Sequence, residues 1–312
     1  ATTSYNTDNP GTEIIKAKVP EALMKKSMAT ASSVAYVMYQ KYVNGIPLYR
    51  QEQDWKSQGL SLSRATLANW IINNSQTYLK PLYNEMKKQL LKQSVIHADE
   101  TVVQVLNEEN RKSSAQSRMW VYCSGGNDMD NITLYEYCPT RAGENARNYL
   151  QGFKKYLQTD GYSGYNEVHG VIHCGCWAHA RRKWDEALPK SNEMIGSKAK
   201  IGLEYCNNLF KLEKEYDKDN LLPEERKEAR LNKSKPLIKT YFEWLKTLKP
   251  LSGSGLYKAV QYSLNQQETL ESFLLDGRIE ISNNRAENAI RPFVIGRKNW
   301  LFSNTPKGAE AS

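Results

Sequence analysis

Three short stretches each carry an acid that a fold could aim at one point: Ile96–Thr101 with Asp99, Gln158–Tyr165 with Asp160, and Asn283–Pro292 with Glu287. The first two acids sit in or at the end of β-rich runs, and the third sits in a short basic helix. Three converging carboxylates repel one another unless cations hold them, so divalent metal is their natural partner. Oxygen-only ligands select hard ions, Mg²⁺ or Mn²⁺, over zinc. A pair of such ions in a basic protein points to phosphoryl transfer on nucleic acid.

Each acid also has a plainer reading. Asp99 shares strand parity with Val95 and Val103, opposite Glu100, and a buried Asp paired to an Arg would look the same. Asp160 precedes Gly161, and Asp-Gly is a turn signal as well as a strand end where open α/β sheets gather ligands. On a helix Asn283, Glu287 and Arg291 share one face, while Ala286, Ala289, Ile290 and Phe293 form the packing side. A Glu287–Arg291 surface pair would be worth only ~0.5 kcal/mol. Pro292 is expected to bend or end that helix.

Basic residues flank two of the acids. Arg181, Arg182 and Lys183 lie beside Trp177 and Trp184, a mixture that suits phosphate and base contacts, although a solvated helix start fits too. Arg285, Arg291, Arg297 and Lys298 cluster around Glu287, next to Trp300. His173, Cys174, Cys176 and His179 invite a zinc reading, but structural zinc sites space their cysteines C-x₂₋₄-C and set the second pair further on. That mismatch argues against zinc here.

The elements that must position these residues follow from periodicity. Alternation over Val95–Val105 predicts a strand with two distinct faces, followed by strands at Met119–Cys123 and Ile132–Cys138. Then come a helix over Gly143–Phe153, a strand at Tyr156–Asp160, a short helical piece at Tyr165–His169 and a strand at Val171–Cys176. Three antiparallel strands followed by alternating helix and strand are compatible with a ribonuclease H-like sheet, among other mixed α/β folds.

Upstream, residues 1–12 read as a flexible tail and 20–92 as helical. Pro47–Trp55, a turn at Gly59 and a helix capped by Ser61 or Ser63 have the layout of a helix-turn-helix, and equally of an ordinary helical hairpin. Between Trp184 and Asp276 the β pattern vanishes and apolar residues step by three or four. The expected organisation is a helical region at 1–92 that could bind DNA, a catalytic core at 93–188, a helical insertion at 189–276, and core completion at 277–312.

The chain has 312 residues, with 43 Lys+Arg against 34 Asp+Glu, a net charge of +9 that favours a polyanionic partner. No apolar run approaches the ~20 residues that span a bilayer, and the first residues do not have a signal-peptide pattern. Five cysteines, most without a close cysteine neighbour, read as reduced thiols of a cytoplasmic protein. The first residue is not Met, and the chain reads as a piece of a longer protein.

At this point the residues resemble the insertion-sequence-66 family of bacterial transposases, a branch of the Asp-Asp-Glu recombinases. The likeness runs through Pro47–Glu52, Leu62–Trp70, His97–Thr101, Thr159–Tyr165, Cys176–Lys183, Asn283–Glu287, Ile290–Pro292 and Gly296–Phe302. It implies a ribonuclease H-like core in which Asp99, Asp160 and Glu287 bind two Mg²⁺ (or Mn²⁺) ions. It also implies a zinc-binding segment and a C-terminal tail outside this chain, and a homo-oligomer acting on DNA near the nucleoid. Asn288 departs from the family motif, which often carries Arg there. The expected activity is cleavage at transposon ends and joining of the 3′-hydroxyl to target DNA. A metal-dependent nuclease of the same fold and a DNA-binding regulator without catalysis are the rival expectations.

Overall fold

β-Branched residues in alternation make Val95–Gln104 a ten-residue strand, and it lies at the middle of a five-stranded mixed sheet. The structure is a computed structural model, and it describes residues 2–4, 13–15, 22–25, 27–126, 130–189 and 197–312. In chain order the strands are β1 (Thr2–Ser4), β2 (Glu13–Ile15), β3 (Val95–Gln104), β4 (Gln116–Ser124), β5 (Thr133–Cys138), β6 (Tyr156–Gln158) and β7 (Ile172–Cys174). The large sheet has the order β5-β4-β3-β6-β7: β3, β4 and β5 pair antiparallel, while β6 and β7 join β3 in parallel. β1 and β2 pair with each other, which corrects the expected tail at Thr2–Ser4; residues 1 and 5–12 lie outside the described residues.

The two faces of β3 pack differently, as the alternation requires. Ile96 and Ala98 join Trp120, Tyr122 and Leu134 on one face, under Tyr149 and Phe153 from the segment holding α5 (Gly143–Tyr149). On the other face Val121 and Cys123 meet Ala286 and Ile290, and Val103 and Met119 meet Phe293. Those three partners belong to α12 (Asn284–Trp300). This helix is longer than expected, because Pro292 does not end it. Pro292 removes one backbone donor, but Ile290, Phe293 and Gly296 stay buried on either side of it. The Tyr135 hydroxyl also donates to the nearby Ala289 carbonyl at 2.5 Å.

The N-terminal helices are α1 (Ala31–Tyr42), α2 (Leu48–Ser57), α3 (Arg64–Asn74) and α4 (Lys80–Leu90). Ser63 caps α3 by accepting from the Thr66 amide at 3.1 Å. Gly59 makes the preceding turn at φ +86°, a conformation that favours glycine. A π-turn at Ser75–Leu79 carries α3 directly into α4. Val34, Val37, Leu67, Trp70 and Ile71 form the local core.

After β7 come α6 (Trp177–Glu186), α7 (Lys198–Lys218), α8 (Pro223–Ala229), α9 (Lys235–Thr247), α10 (Gly255–Asn265) and α11 (Gln267–Glu271), with α13 (Pro306–Glu310) closing the chain. No strand occurs among the described residues of 190–275, and residues 190–196 lie outside them. Trp177 and Trp184 on α6 are fully buried among Tyr241, Phe242, Phe273 and Cys206. Each contributes about 3 kcal/mol over an exposed position. Gly202 lets α7 approach them, since a Cβ there would sit 2.4 Å from the Trp184 ring.

Candidate active site

Strand register aligns the first two acids. β3 and β6 pair with His97 opposite Gln158, so two residues further along each chain Asp99 is level with Asp160 on the same face. β6 and β7 pair with Gln158 opposite Cys174, which by the same step sets Cys176 beside Asp160. Asp99 therefore looks towards α12, while its neighbour Glu100 looks the other way, bound by Arg141 at 2.5 Å and the Tyr165 hydroxyl at 2.8 Å.

Glu287 lies in the first turn of α12, and Asn283 fixes where that helix begins. Asn283 is fully buried; its Nδ2 donates to the Ala98 carbonyl at 2.9 Å, and its Oδ1 lies 3.1 Å from His97 Nδ1. Its backbone N–H donates to Cys176 Sγ at 3.2 Å. One side chain and one amide thus tie the start of α12 to β3 and to the segment after β7.

Asp99 senses the other two acids. Burial pushes the Asp99 carboxyl up to about 7; the Glu100 amide opposes this at 2.8 Å, and the charges of Glu100, Asp160 and Glu287 add to it. Among the described residues no basic side chain forms an ion pair with Asp99. Asp160 Oδ1 accepts from the Tyr162 amide at 2.9 Å, and Gly161 turns the chain there at φ +90°. Tyr262 of α10 donates to the Asp160 carbonyl at 3.2 Å, which brings the helical segment to the site. Glu287 is held differently: Oε2 lies 3.6 Å from Arg182 and Oε1 lies 3.7 Å from His179 Nδ1.

The family model described as Transposase IS66 family matches residues 26–311. The chain belongs to that family. Three proteins of Sinorhizobium fredii (strain NBRC 101917 / NGR234), each named only as uncharacterized, are similar to it. Protein y4qI is 31% identical over 95% of this chain and 56% of its own length. Protein y4hP is 28% identical over 89% and 53%, and y4jD is 28% identical over 95% and 60%. The chain spans little more than half the length of these relatives.

The basic residues of this IS66-family chain divide into those that face the surface and those engaged with acids or with β3. Arg181 is exposed on α6, with Nε donating to Asn207 of α7 at 2.7 Å. Together with Lys211, Lys214, Phe210, Ala178 and Asn284 it lines a groove of about 510 Å³ that runs to the start of α12. Arg291 and Lys298 are exposed, Lys183 pairs with Glu186 at 3.1 Å, and Arg285 pairs with Glu280 at 2.8 Å. Arg297 is tied to β3: its Nη1 donates to Thr101 Oγ1 at 3.1 Å and to the Val102 carbonyl.

Two expectations need correction. Trp177 and Trp184 cannot stack on bases, because both are buried and their indole N–H groups donate inward, to the Leu270 carbonyl and the Tyr241 hydroxyl, each at 2.8 Å. Lys211, Lys214 and Asn207 were missed as groove residues. Their spacing of four and three puts them on one face of α7, a signal that the sequence carried. No helix among the described residues is long and apolar enough to cross a membrane.

Proposed function

We propose that the chain carries the catalytic core of a DNA transposase that cuts at transposon ends and joins the 3′-hydroxyl to target DNA. The observation that carries this reading is that strand register sets Asp160 level with Asp99 while the charges of both Asp160 and Glu287 bear on the Asp99 carboxyl. The strand order, three antiparallel strands followed by two parallel ones, supports a ribonuclease H-like core built from 93–188 and 277–312.

The donor set fits Mg²⁺ or Mn²⁺. Its ligands are oxygens, and Asp99 has no ion-pair partner among the described residues. Asp99, Asp160 and Glu287 would hold two such ions, which when bound supply activation of the attacking oxygen and charge relief at the departing one.

The rest is orientation by the chain itself. The Glu100 and Tyr162 amides fix the Asp99 and Asp160 carboxylates. Asn283 fixes the helix that carries Glu287. Arg181, Lys211 and Lys214 offer phosphate contacts along the groove beside that helix, so the segment at 189–276 would wall the DNA channel.

The test is a Mg²⁺-dependent cleavage and joining assay with full-length protein on DNA bearing the element's ends. Cleavage followed by strand transfer, both abolished in Asp160→Asn, is the expected result. Hydrolysis without joining would make the protein a nuclease. Binding without cleavage would make it a regulator.

A further inference from the structure

Beside the carboxylate cluster lies a second donor set of different chemistry. Cys176 Sγ, a ring nitrogen of His179 and a Glu287 carboxylate oxygen all lie within 4.8 Å of one another. Among the described residues, His179 Nδ1 and Glu287 Oε1 are both buried without a hydrogen-bond partner, although they face each other at 3.7 Å. That separation is too long for a hydrogen bond. It is close to the roughly 3.3–3.6 Å edge of a tetrahedral site with nitrogen and oxygen bonds of about 2.0–2.2 Å. Arg182 makes a long ion pair with the other oxygen, Oε2, at 3.6 Å, and Oε1 is turned towards the imidazole. Cys176 Sγ in turn accepts from the Asn283 amide at 3.2 Å; burial pushes the free thiol up to about 11 despite that contact, so only a bound cation would make it a thiolate.

Sequence spacing hid this set. Cys176 and His179 are three residues apart at the start of α6, and the third donor comes from α12. Cys174, which the sequence groups with Cys176, packs instead in the core, its Sγ 3.6 Å from the Ile172 carbonyl.

We propose that Cys176, His179 and Glu287 form a thiolate–imidazole–carboxylate site for a single Zn²⁺-class ion, with a fourth position open. Soft and borderline donors select such an ion, whereas the oxygen-only pair Asp99 and Asp160 does not. Because Glu287 is shared, an ion held here takes it from the hard-ion cluster. That consequence rests on the transposase reading; the site itself does not.

The test is titration of the whole chain with Co²⁺ and Zn²⁺, followed by absorption spectroscopy and calorimetry. One equivalent of Co²⁺ should give a sulfur-to-cobalt charge-transfer band, displaced by one equivalent of Zn²⁺. Cys176→Ser should abolish the band, while Cys174→Ser and Asp99→Asn should retain it. His179→Gln, a milder change for folding, should weaken Zn²⁺ binding by roughly 100-fold or more. Far-ultraviolet circular dichroism confirms that each variant is folded. No band in the wild type, a band that survives Cys176→Ser, or unchanged Zn²⁺ affinity in His179→Gln would overturn the site. Cleavage by the wild type and its loss in Asp160→Asn are read separately, so failure of either idea leaves the other standing.

Discussion

Glu213 in the helical segment and Asp99 in the sheet are both carboxylates withdrawn from water, and the protein surrounds them in opposite ways. Glu213 meets Arg230 in a two-pronged pair, Nε to Oε1 at 2.8 Å and Nη2 to Oε2 at 2.6 Å, with Arg226 at 3.3 Å from Oε2. Arg230 is itself fully buried, and its Nη1 donates to the carbonyls of Phe273 and Asp276. Asp99 has one backbone amide and three acidic neighbours. The same chain can neutralise a buried acid completely. Leaving Asp99 short of positive charge is a cost that structure alone does not recover, and a bound cation would.

Catalysis should break the comparison most sharply. Asp160→Asn removes a carboxylate proposed to bind metal and one source of repulsion at Asp99. Cleavage should fall by ~10³-fold or more, equivalent to about 4 kcal/mol in the barrier, while DNA affinity stays equal or rises. Glu213→Gln should leave the chemistry intact in whatever fraction remains folded. A gel-based cleavage time course on both variants checks this, and normal cleavage by Asp160→Asn would remove the site assignment.

Stability should respond with opposite signs to the same chemical change. Glu213→Gln leaves Arg230 buried without its charge partner and should cost about 3–5 kcal/mol. Asp99→Asn, in metal-free protein, should stabilise by about 1–2 kcal/mol, a figure reduced for the partial exposure of that carboxyl. Urea midpoints in EDTA measure both.

The pH dependence sharpens the second half. The folded-state value of Asp99, about 7 because of burial and then its acidic neighbours, lies above the ordinary carboxylate range. Its protonation therefore contributes stability that is complete below an unfolded value of about 3.9 and is lost as pH rises through 7. Metal-free wild type should lose stability across that window relative to Asp99→Asn. Parallel pH profiles for the two would show that another group is responsible.

What could be read from the sequence followed from local periodicity. The alternation around Asp99 gave the strand and the face of the acid, and Ala286, Ile290 and Phe293 gave the packing side of α12. The Asp160–Gly161 turn was equally plain. That Asp160 comes level with Asp99 was not readable, because it depends on register between β3 and β6, which long-range pairing sets. Trp177 and Trp184 misled because cations sit between them, yet with Ala180 they already formed a buried helical stripe. Pro292 misled because its local penalty is outweighed by the burial of Ile290 and Phe293.

The smallest expected effect separates groove-lining cations from one tied to the sheet. Arg181, Lys211 and Lys214 line an open groove, whereas Arg297 gives Nη1 to the Thr101 hydroxyl and the Val102 carbonyl. Removing one cation from a phosphate of duplex DNA flattens the slope of log affinity against log salt by about 0.9, which is roughly a threefold to fourfold change over a fourfold change in salt. Arg181→Ala, Lys211→Ala and Lys214→Ala should each show that flattening, equally on specific and unrelated DNA. Arg297→Ala should leave the slope unchanged and instead lower stability by about 1–2 kcal/mol, through the β3 carbonyl and hydroxyl it abandons. Fluorescence anisotropy at several salt concentrations, beside a urea melt, distinguishes the two behaviours. A flattened slope for Arg297→Ala would return that residue to the DNA-binding group, and unchanged slopes for all three groove variants would move the DNA path away from α7.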